Sequence, residues 1–360
     1  MAAAKRYQFH LNGTDYFVLP QTLWNKTLNR LGMADVSSVV RPCLEVVEEW
    51  NPDIVVSHGT ENGYGLLAQL TDVPVLIELQ GILNGYLPFF WGSITGLFSR
   101  LRYPRSIRNW YSMKRRARNE KLVFQVNRYF SGRTFWDQSQ LFKYNPQAVY
   151  FDEPRVLRSE FLNANWSLEG CKPLSIYSTT TPHFLKGTSC LIDALALLRR
   201  AVPGATLSIG GIKMESEVGG HLRRQIARLK LDDSVRFLGY LSTSEVVQQL
   251  REANVYVIPS YIENSPNNMV EAMAVGTPTI ASATGGIPSM LDSGKNGMLF
   301  NCGDSAMLAL ALKKLMEDPS LAIDFSNSSR KSVAERHNPE RIAQTHMETC
   351  RKIIELHGGR

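Results

Sequence analysis

From about Asn51 onward, short runs of β-branched residues alternate with amphipathic stretches, the pattern produced by parallel strands joined by crossover helices. In the first half it predicts strands over residues 54–57, 73–79, 128–131 and 148–151, a helix over 63–70 and a long basic helix over 107–121. The second half is more regular, with strands over 174–179, 206–210, 235–238, 255–259 and 277–281 and helices over 188–200, 220–229, 244–252 and 267–275 between them. That is a doubly wound α/β unit, followed by helical stretches over 305–317, 319–335 and 339–356. Asn163, Asn165, Gly170 and Pro173 lie between the two patterns and set the domain division: a first Rossmann-like domain over 1–160, a second over 161–338, and a terminal helix over 339–360 returning to the first. Residues 7–20 carry no apolar strand followed by a glycine-rich turn, so the first domain is expected to lack its opening βαβ unit.

With 44% hydrophobic and 20% charged residues the composition is that of a globular chain, and no fixed-period repeat is present. The five cysteines, Cys43, Cys171, Cys190, Cys302 and Cys350, have neither paired spacing nor a C-x-x-C motif, which fits a reducing cytosol better than a disulfide framework or a zinc site. No secretory leader is expected at the N-terminus, and the uncharged stretch 79–99 contains Gln80, Asn84, Pro88 and several glycines, which argues against a spanning helix. The net charge of +7 concentrates in one region: Arg100, Arg102, Arg105, Arg108, Lys114, Arg115, Arg116, Arg118 and Lys121 stand against Glu120 alone. Tyr86, Phe89, Phe90, Trp91, Phe98, Tyr103, Trp110 and Tyr111 lie before or within that run. The mixture suits an anionic membrane surface or a lipid-linked anion, although a solvated helix face with core aromatics would read the same way.

The segment from Val255 to Pro278 carries the sharpest chemistry. A buried parallel strand ends at Ser260, a loop carries Glu263, and Ser265-Pro266 reads as a helix N-cap followed by proline at the first helical position. Glu271 falls about one turn into that helix, so Glu263 and Glu271 converge on the crevice at the carboxyl end of a strand, where open α/β sheets bind ligands. The helix start offers unpaired amides at Asn267, Asn268 and Met269 for a diphosphate, while carboxylates suit hydroxyls, Glu271 a ribose diol and Glu263 the hydroxyls of a sugar.

The surroundings strengthen this reading. Glu263-x7-Glu271, then Ala-Met-Ala-Val-Gly276-Thr-Pro278, Ala283-Thr-Gly285-Gly286-Ile-Pro288 and Gly294-Lys-Asn-Gly297 together resemble glycosyltransferase family 4, with a flavour of bacterial capsule and surface-polysaccharide enzymes in residues 51–152. The resemblance implies a GT-B fold, two Rossmann-like doubly wound parallel-sheet domains with the donor in the second and the acceptor in the first. It also implies retention of anomeric configuration, no metal and no consumed cofactor. It gives Lys186 the role of neutralising the departing nucleoside diphosphate, chemically apt for a compact ammonium beside a strand end, and lets Gly285 and Gly286 bring backbone close to the donor. The chain departs from the pattern in places. Ser178-Thr179-Thr180-Thr181 stand where an arginine is usual, so half of the phosphate clamp is absent or comes from elsewhere. Ser289 replaces an acid, and Gln80-Gly81 replace a histidine-glycine pair. His58 follows a strand and could line the acceptor side, although a capping or core role would also place it there. Asp137 has no assigned part.

The expectation is therefore a cytoplasmic glycosyltransferase, peripheral at the inner face of the plasma membrane, with Glu263 and Lys186 at the chemistry. Glu271, Asn267, Asn268, Met269, Gly285 and Gly286 would bind the donor, and His58, Gln80 and Gly81 would stand on the acceptor side. Its partners would be a nucleotide sugar and a glycan or lipid-linked acceptor, with no nucleic acid. Alternatives are a non-catalytic GT-B remnant that binds a nucleotide or partner at a membrane surface, a basic-surface binder resting on the 100–121 run, and another GT-B activity such as an epimerase or phosphorylase.

Overall fold

The computed structural model describes residues 7–19 and 36–358. The chain opens with an antiparallel hairpin, β1 (Tyr7–Leu11) and β2 (Thr14–Val18). Asn12 and Gly13 at its tip both have positive φ, 52° and 76°, the conformation a two-residue hairpin turn requires. Residues 7–18 therefore form strands where none was expected, but an exposed ribbon and not an opening βα unit.

The first domain is built on a parallel sheet of four strands in sequential order: β3 (Val55–His58), β4 (Val75–Glu78), β5 (Tyr129–Gly132) and β6 (Val149–Asp152). Side chains alternate across it. Val75, Ile77 and Phe130 face a cluster with Val40, Val47, Val123 and Phe124, contributed by helices α1 (Val36–Trp50) and α2 (Pro104–Val126). Leu76 and Tyr129 face the other way, onto Ile353 of the terminal helix. The predicted basic helix is thus real but longer, and the stretch expected as a helix over 63–70 is a 3-10 turn, Tyr64–Gln69. Helix α3 (Phe135–Tyr144) lay outside the prediction because aromatic and polar residues blur its period. A capping box starts it: Thr134 Oγ1 accepts from the Asp137 amide at 3.2 Å, and the Asp137 carboxylate answers to Thr134 N at 3.4 Å.

The second domain has six parallel strands in the order β12-β11-β10-β7-β8-β9: β7 (Lys172–Thr179), β8 (Thr206–Gly210), β9 (Val235–Gly239), β10 (Ala253–Ile258), β11 (Thr279–Ser282) and β12 (Met298–Phe300). Every residue of β10 is buried, as expected of a central strand covered on both faces. The order reverses between β7 and β10, so the crevice at their carboxyl ends is the sheet's switch point. Helices α4 (Thr188–Leu198), α5 (Glu217–Arg228), α6 (Thr243–Glu252), α7 (Asn267–Val275), α8 (Ser305–Glu317) and α9 (Pro319–Arg336) pack around this sheet. Helix α10 (Pro339–Gly358) then crosses back to the first sheet, where His357 bonds the Asp72 carbonyl at 2.7 Å.

The stretch 79–99 is broken into short turns, and no helix among the described residues is long and apolar enough to cross a membrane. Phe90, Trp91 and Tyr103 are core residues whose rings meet the second domain, Phe90 at His183, Trp91 at Phe184, and Tyr103 at Phe184 and His221. Glu217 then caps α2 from the other domain, accepting from the Arg105 and Ser106 amides at 2.9 and 3.0 Å, two orphan donors of that helix's first turn.

Asp137, unassigned from sequence, is structural. It is fully buried and also accepts from Arg133 N at 3.0 Å and the Tyr150 hydroxyl at 2.6 Å. Asp137→Ala orphans these donors and should destabilise by about 2–3 kcal/mol. Urea unfolding followed by far-UV dichroism measures this, and an unchanged midpoint would contradict the assignment.

Candidate functional site

At the switch point lies a cavity of about 440 Å³. The second domain contributes Thr179, Thr180 and Thr181 at the end of β7, Lys186, and Glu263 with Ser265 to Asn268 beyond β10, while Gln80, Tyr86, Arg133 and Arg155 form the facing wall.

Lys186 ends a 3-10 turn, Phe184–Lys186, that is pinned to the β10 loop because Tyr261 N donates to Leu185 O at 2.7 Å. Gly187 permits that approach. Its φ is +66°, and a Cβ there would lie 1.8 Å from Pro259 O. Lys186 Nζ is 2.6 Å from Glu263 Oε1, which also accepts from Ser260 Oγ at 2.7 Å. The pair is only partly exposed, 25% for the lysine and 8% for the glutamate, so screening by water is limited. Sequence reading placed these two residues at the chemistry, and the fold brings them into direct contact.

The helix start differs in detail from the expectation. Pro266 takes the cap position and α7 begins at Asn267, so Ser265 is not the N-cap, and its hydroxyl accepts from Arg133 Nη1 at 2.9 Å. The amides of Asn267 and Asn268 find no acceptor among the described residues, and both residues line the cavity at the start of a nine-residue helix. Met269 does not join them, because its amide bonds Pro266 O at 3.1 Å and its side chain is in the core. Asn268 is held through Nδ2 on Thr179 Oγ1, 2.9 Å.

Glu271 lies outside the cavity lining, ion-paired with Arg158 Nη2 at 2.7 Å through Oε1, and Arg158 also reaches Thr243 Oγ1 at 2.7 Å. Gly285 and Gly286 pack under the Glu263 loop: Cβ atoms there would meet Glu263 O at 1.9 Å and Asn264 O at 2.0 Å, and the Gly286 amide is taken by Glu263 O at 3.0 Å. Their close approach is to the loop itself. Gln80 lines the cavity, and its carbonyl accepts from Asn264 Nδ2 at 3.0 Å. Gly81 lies behind it, its carbonyl bonded by Thr60 Oγ1 at 3.3 Å. His58 neither caps nor enters the core. It is exposed and paired with Glu78, off the cavity lining.

Sequence reasoning missed the arginines. Arg133 follows β5 directly, Arg155 stands three residues beyond β6, and Glu78 at the end of β4 lies between them, 3.6 Å from Arg133 Nη2 and 3.3 Å from Arg155 Nε. The signal was available, since all three stand at carboxyl ends of predicted parallel strands. Burial, with Arg155 adjacent, pushes Arg133 down to about 10 despite the opposing charges of Glu78 and Asp137, leaving it cationic at neutral pH. Burial raises the Glu78 carboxyl, but Arg155 and His58 outweigh it and hold the group below the usual range. Tyr86, read from sequence only as one of the aromatic residues before the basic run, lines the cavity as well. Its hydroxyl, kept protonated by burial and the charge of Glu263, accepts from Asn264 N at 3.1 Å.

Two Rossmann-like domains facing each other across such a cleft, with the ligand crevice on the second, define the GT-B class. Residues 169–332 match the family Glycosyl transferases group 1. The chain is similar to a glycogen synthase of Mycobacterium tuberculosis, 25% identical over 82% of this chain and 67% of that protein. Further curated relatives are matched over 42% of their own length or less. The fold is shared with sucrose-phosphate synthase from Thermosynechococcus elongatus, TM-score 0.72 at 20% identity, covering 89% of this chain and 78% of that one. It is shared equally with Anabaena Alr3699/HepE in complex with UDP, TM-score 0.70 at 18% identity, covering 90% and 85%.

The contact at Gly187 is testable without a ligand. Gly187→Ala forces a left-handed residue and a clash with Pro259 O, and should cost about 1–3 kcal/mol or more. Thermal unfolding reads this directly, and a wild-type midpoint would mean the turn is not tied to the loop as described.

Proposed function

We propose that this protein is a retaining, metal-independent glycosyltransferase that moves a hexose-type sugar from a nucleotide-sugar donor to a glycan or lipid-linked acceptor in polysaccharide biosynthesis. The observation that carries the reading is the cavity at the switch point, where an ammonium, two free amides at a helix start and a buried carboxylate converge. The match to a glycosyltransferase family and the likeness to a UDP-bound structure support it.

In this reading the diphosphate sits on the Asn267 and Asn268 amides, and Lys186 turns from Glu263 toward it. Lys186 then offsets the charge that grows on the leaving oxygen as the glycosidic bond breaks. Glu263, relieved of the ion pair, accepts hydrogen bonds from sugar hydroxyls. The acceptor hydroxyl attacks the same face that the diphosphate leaves, its proton passing to the departing phosphate oxygen. Glu271 takes the ribose diol through Oε2, Oε1 being held by Arg158. In this reading Gln80 faces the acceptor, with Gly81 behind it and His58 acting only through Glu78.

The surface supports a membrane-bound acceptor at the cytoplasmic face. Leu97, Phe98 and Leu101 are 70%, 85% and 57% exposed at a turn that leads into α2, and Arg102, Arg105, Arg108, Lys114, Arg115, Arg118 and Lys121 are exposed along the same run. Apolar tips flanked by cations suit an anionic bilayer, each exposed cation near the surface contributing about 1 kcal/mol.

Lys186→Ala should lower kcat about 10²-fold, and Glu271→Ala should raise the donor Kd about tenfold, in sugar-transfer assays with UDP-, GDP- and ADP-sugars. Unchanged kinetics in both variants would sink the assignments. Phe98→Asp should reduce co-sedimentation with phosphatidylglycerol vesicles several-fold and leave phosphatidylcholine binding low. Equal binding of wild type and variant to anionic vesicles would remove the membrane from the account.

A further inference from the structure

The second domain's wall of the cavity offers a diphosphate only one cation. Lys186 is half-engaged by Glu263, and His183, nearby in the sequence, is held neutral by burial and by the charge of Lys186. Thr179, Thr180 and Thr181 supply hydroxyls but no charge. The facing wall is the opposite case, because Arg133 and Arg155 share the single carboxylate of Glu78.

Arg133 is the more telling of the two. Its side chain is 6% exposed, yet of its donors only Nη1 has a hydrogen-bond partner, Ser265 Oγ of the other domain. Nε and Nη2 are buried with no acceptor among the described residues, Nη2 lying too far from Glu78 for a hydrogen bond. A buried guanidinium left short of acceptors is costly, and native structures rarely keep one without a use for it. An oxyanion entering the cavity beside Ser265 would give the buried Nε and Nη2 of Arg133 the acceptors they lack. Arg155, 30% exposed, lies on the same carboxylate and lines the cavity with it. Guanidinium forks match phosphate oxygens bidentately, which an ammonium does not.

We propose that Arg133 and Arg155 form the second cationic arm of the diphosphate site, reaching the donor's phosphates from the first-domain wall opposite Lys186. The inference rests on the donor reading given above. It makes domain closure and phosphate binding one event, since Arg133 already bridges to Ser265, next to the helix start where the free amides lie. Glu78 is then a positioning residue that holds both arginines in reach while the cavity is empty.

The test is calorimetry with UDP, GDP and ADP, followed by the matching nucleoside and inorganic pyrophosphate, on wild type, Arg133→Gln and Arg155→Gln. Arg155→Gln is included because its partial exposure makes it safe for folding. The diphosphate that binds wild type should bind each variant about tenfold or more weakly, with a shallower salt dependence. Pyrophosphate should weaken in parallel, and the nucleoside should bind as before. If the wild type binds a diphosphate and both variants bind it equally well, the arginines are not in the site and this inference alone fails. Equal losses for nucleoside and diphosphate would also overturn it, by showing that the arginines only hold the domains together. If the wild type binds none of the three diphosphates, the donor reading itself falls and takes the inference with it.

Discussion

The loop that leaves β10 is held from three directions, and the site exists because of it. From below, Gly285 and Gly286 press against the Glu263 and Asn264 carbonyls at distances no side chain would tolerate. Along the sheet, Leu185 fixes Tyr261, which brings the Lys186 turn to the strand end. Across the cleft, Tyr86, Gln80 and Thr134 all bond Asn264, the last at 3.0 Å through its hydroxyl. With the backbone so constrained, Glu263 has little freedom except to face Lys186, and the start of α7 has little except to face the cavity.

The same loop explains how two separately folded sheets make one site. Each sheet places its chemistry at the carboxyl ends of parallel strands, β7 and β10 in one domain, β4, β5 and β6 in the other. The polar contacts across the cleft turn those two sets of strand ends toward each other, and Glu217 capping α2 fixes the domains again at a distance from the cavity. Ser289, where the family resemblance leads one to expect an acid, serves the same end by accepting from Phe135 N at 3.2 Å.

Much of this was legible in the sequence, and the reasons differ by element. The central strands of the second domain, β10 and β11, are short apolar runs buried on both faces, so their period and their punctuation by Gly276 and Pro278 made the architecture readable. Glu263 and the α7 start were legible because ligands in open α/β sheets bind at the carboxyl ends of strands, whereas Lys186 came only from the family resemblance. Helix α3 and the opening hairpin were not, the first because Phe135, Trp136 and Phe142 obscure its polar face, the second because β1 and β2 bury little. The Ser265-Pro266 cap failed because Arg133, 132 positions away in sequence, claims the serine hydroxyl. Local propensity carries no information about such a partner, and it misjudged the reach of Met269, whereas Arg133 and Arg155 stand just beyond predicted strands and were passed over.

The central claim is that the crevice between β7 and β10 receives a nucleoside diphosphate, and a crystal structure of the chain grown with UDP, GDP or ADP tests it most directly. The account predicts the diphosphate against the Asn267 and Asn268 amides, with Lys186 turned from Glu263 toward it. A nucleotide bound elsewhere, or a cavity that stays empty at saturating nucleotide with the Lys186 and Glu263 pair still closed, would contradict it.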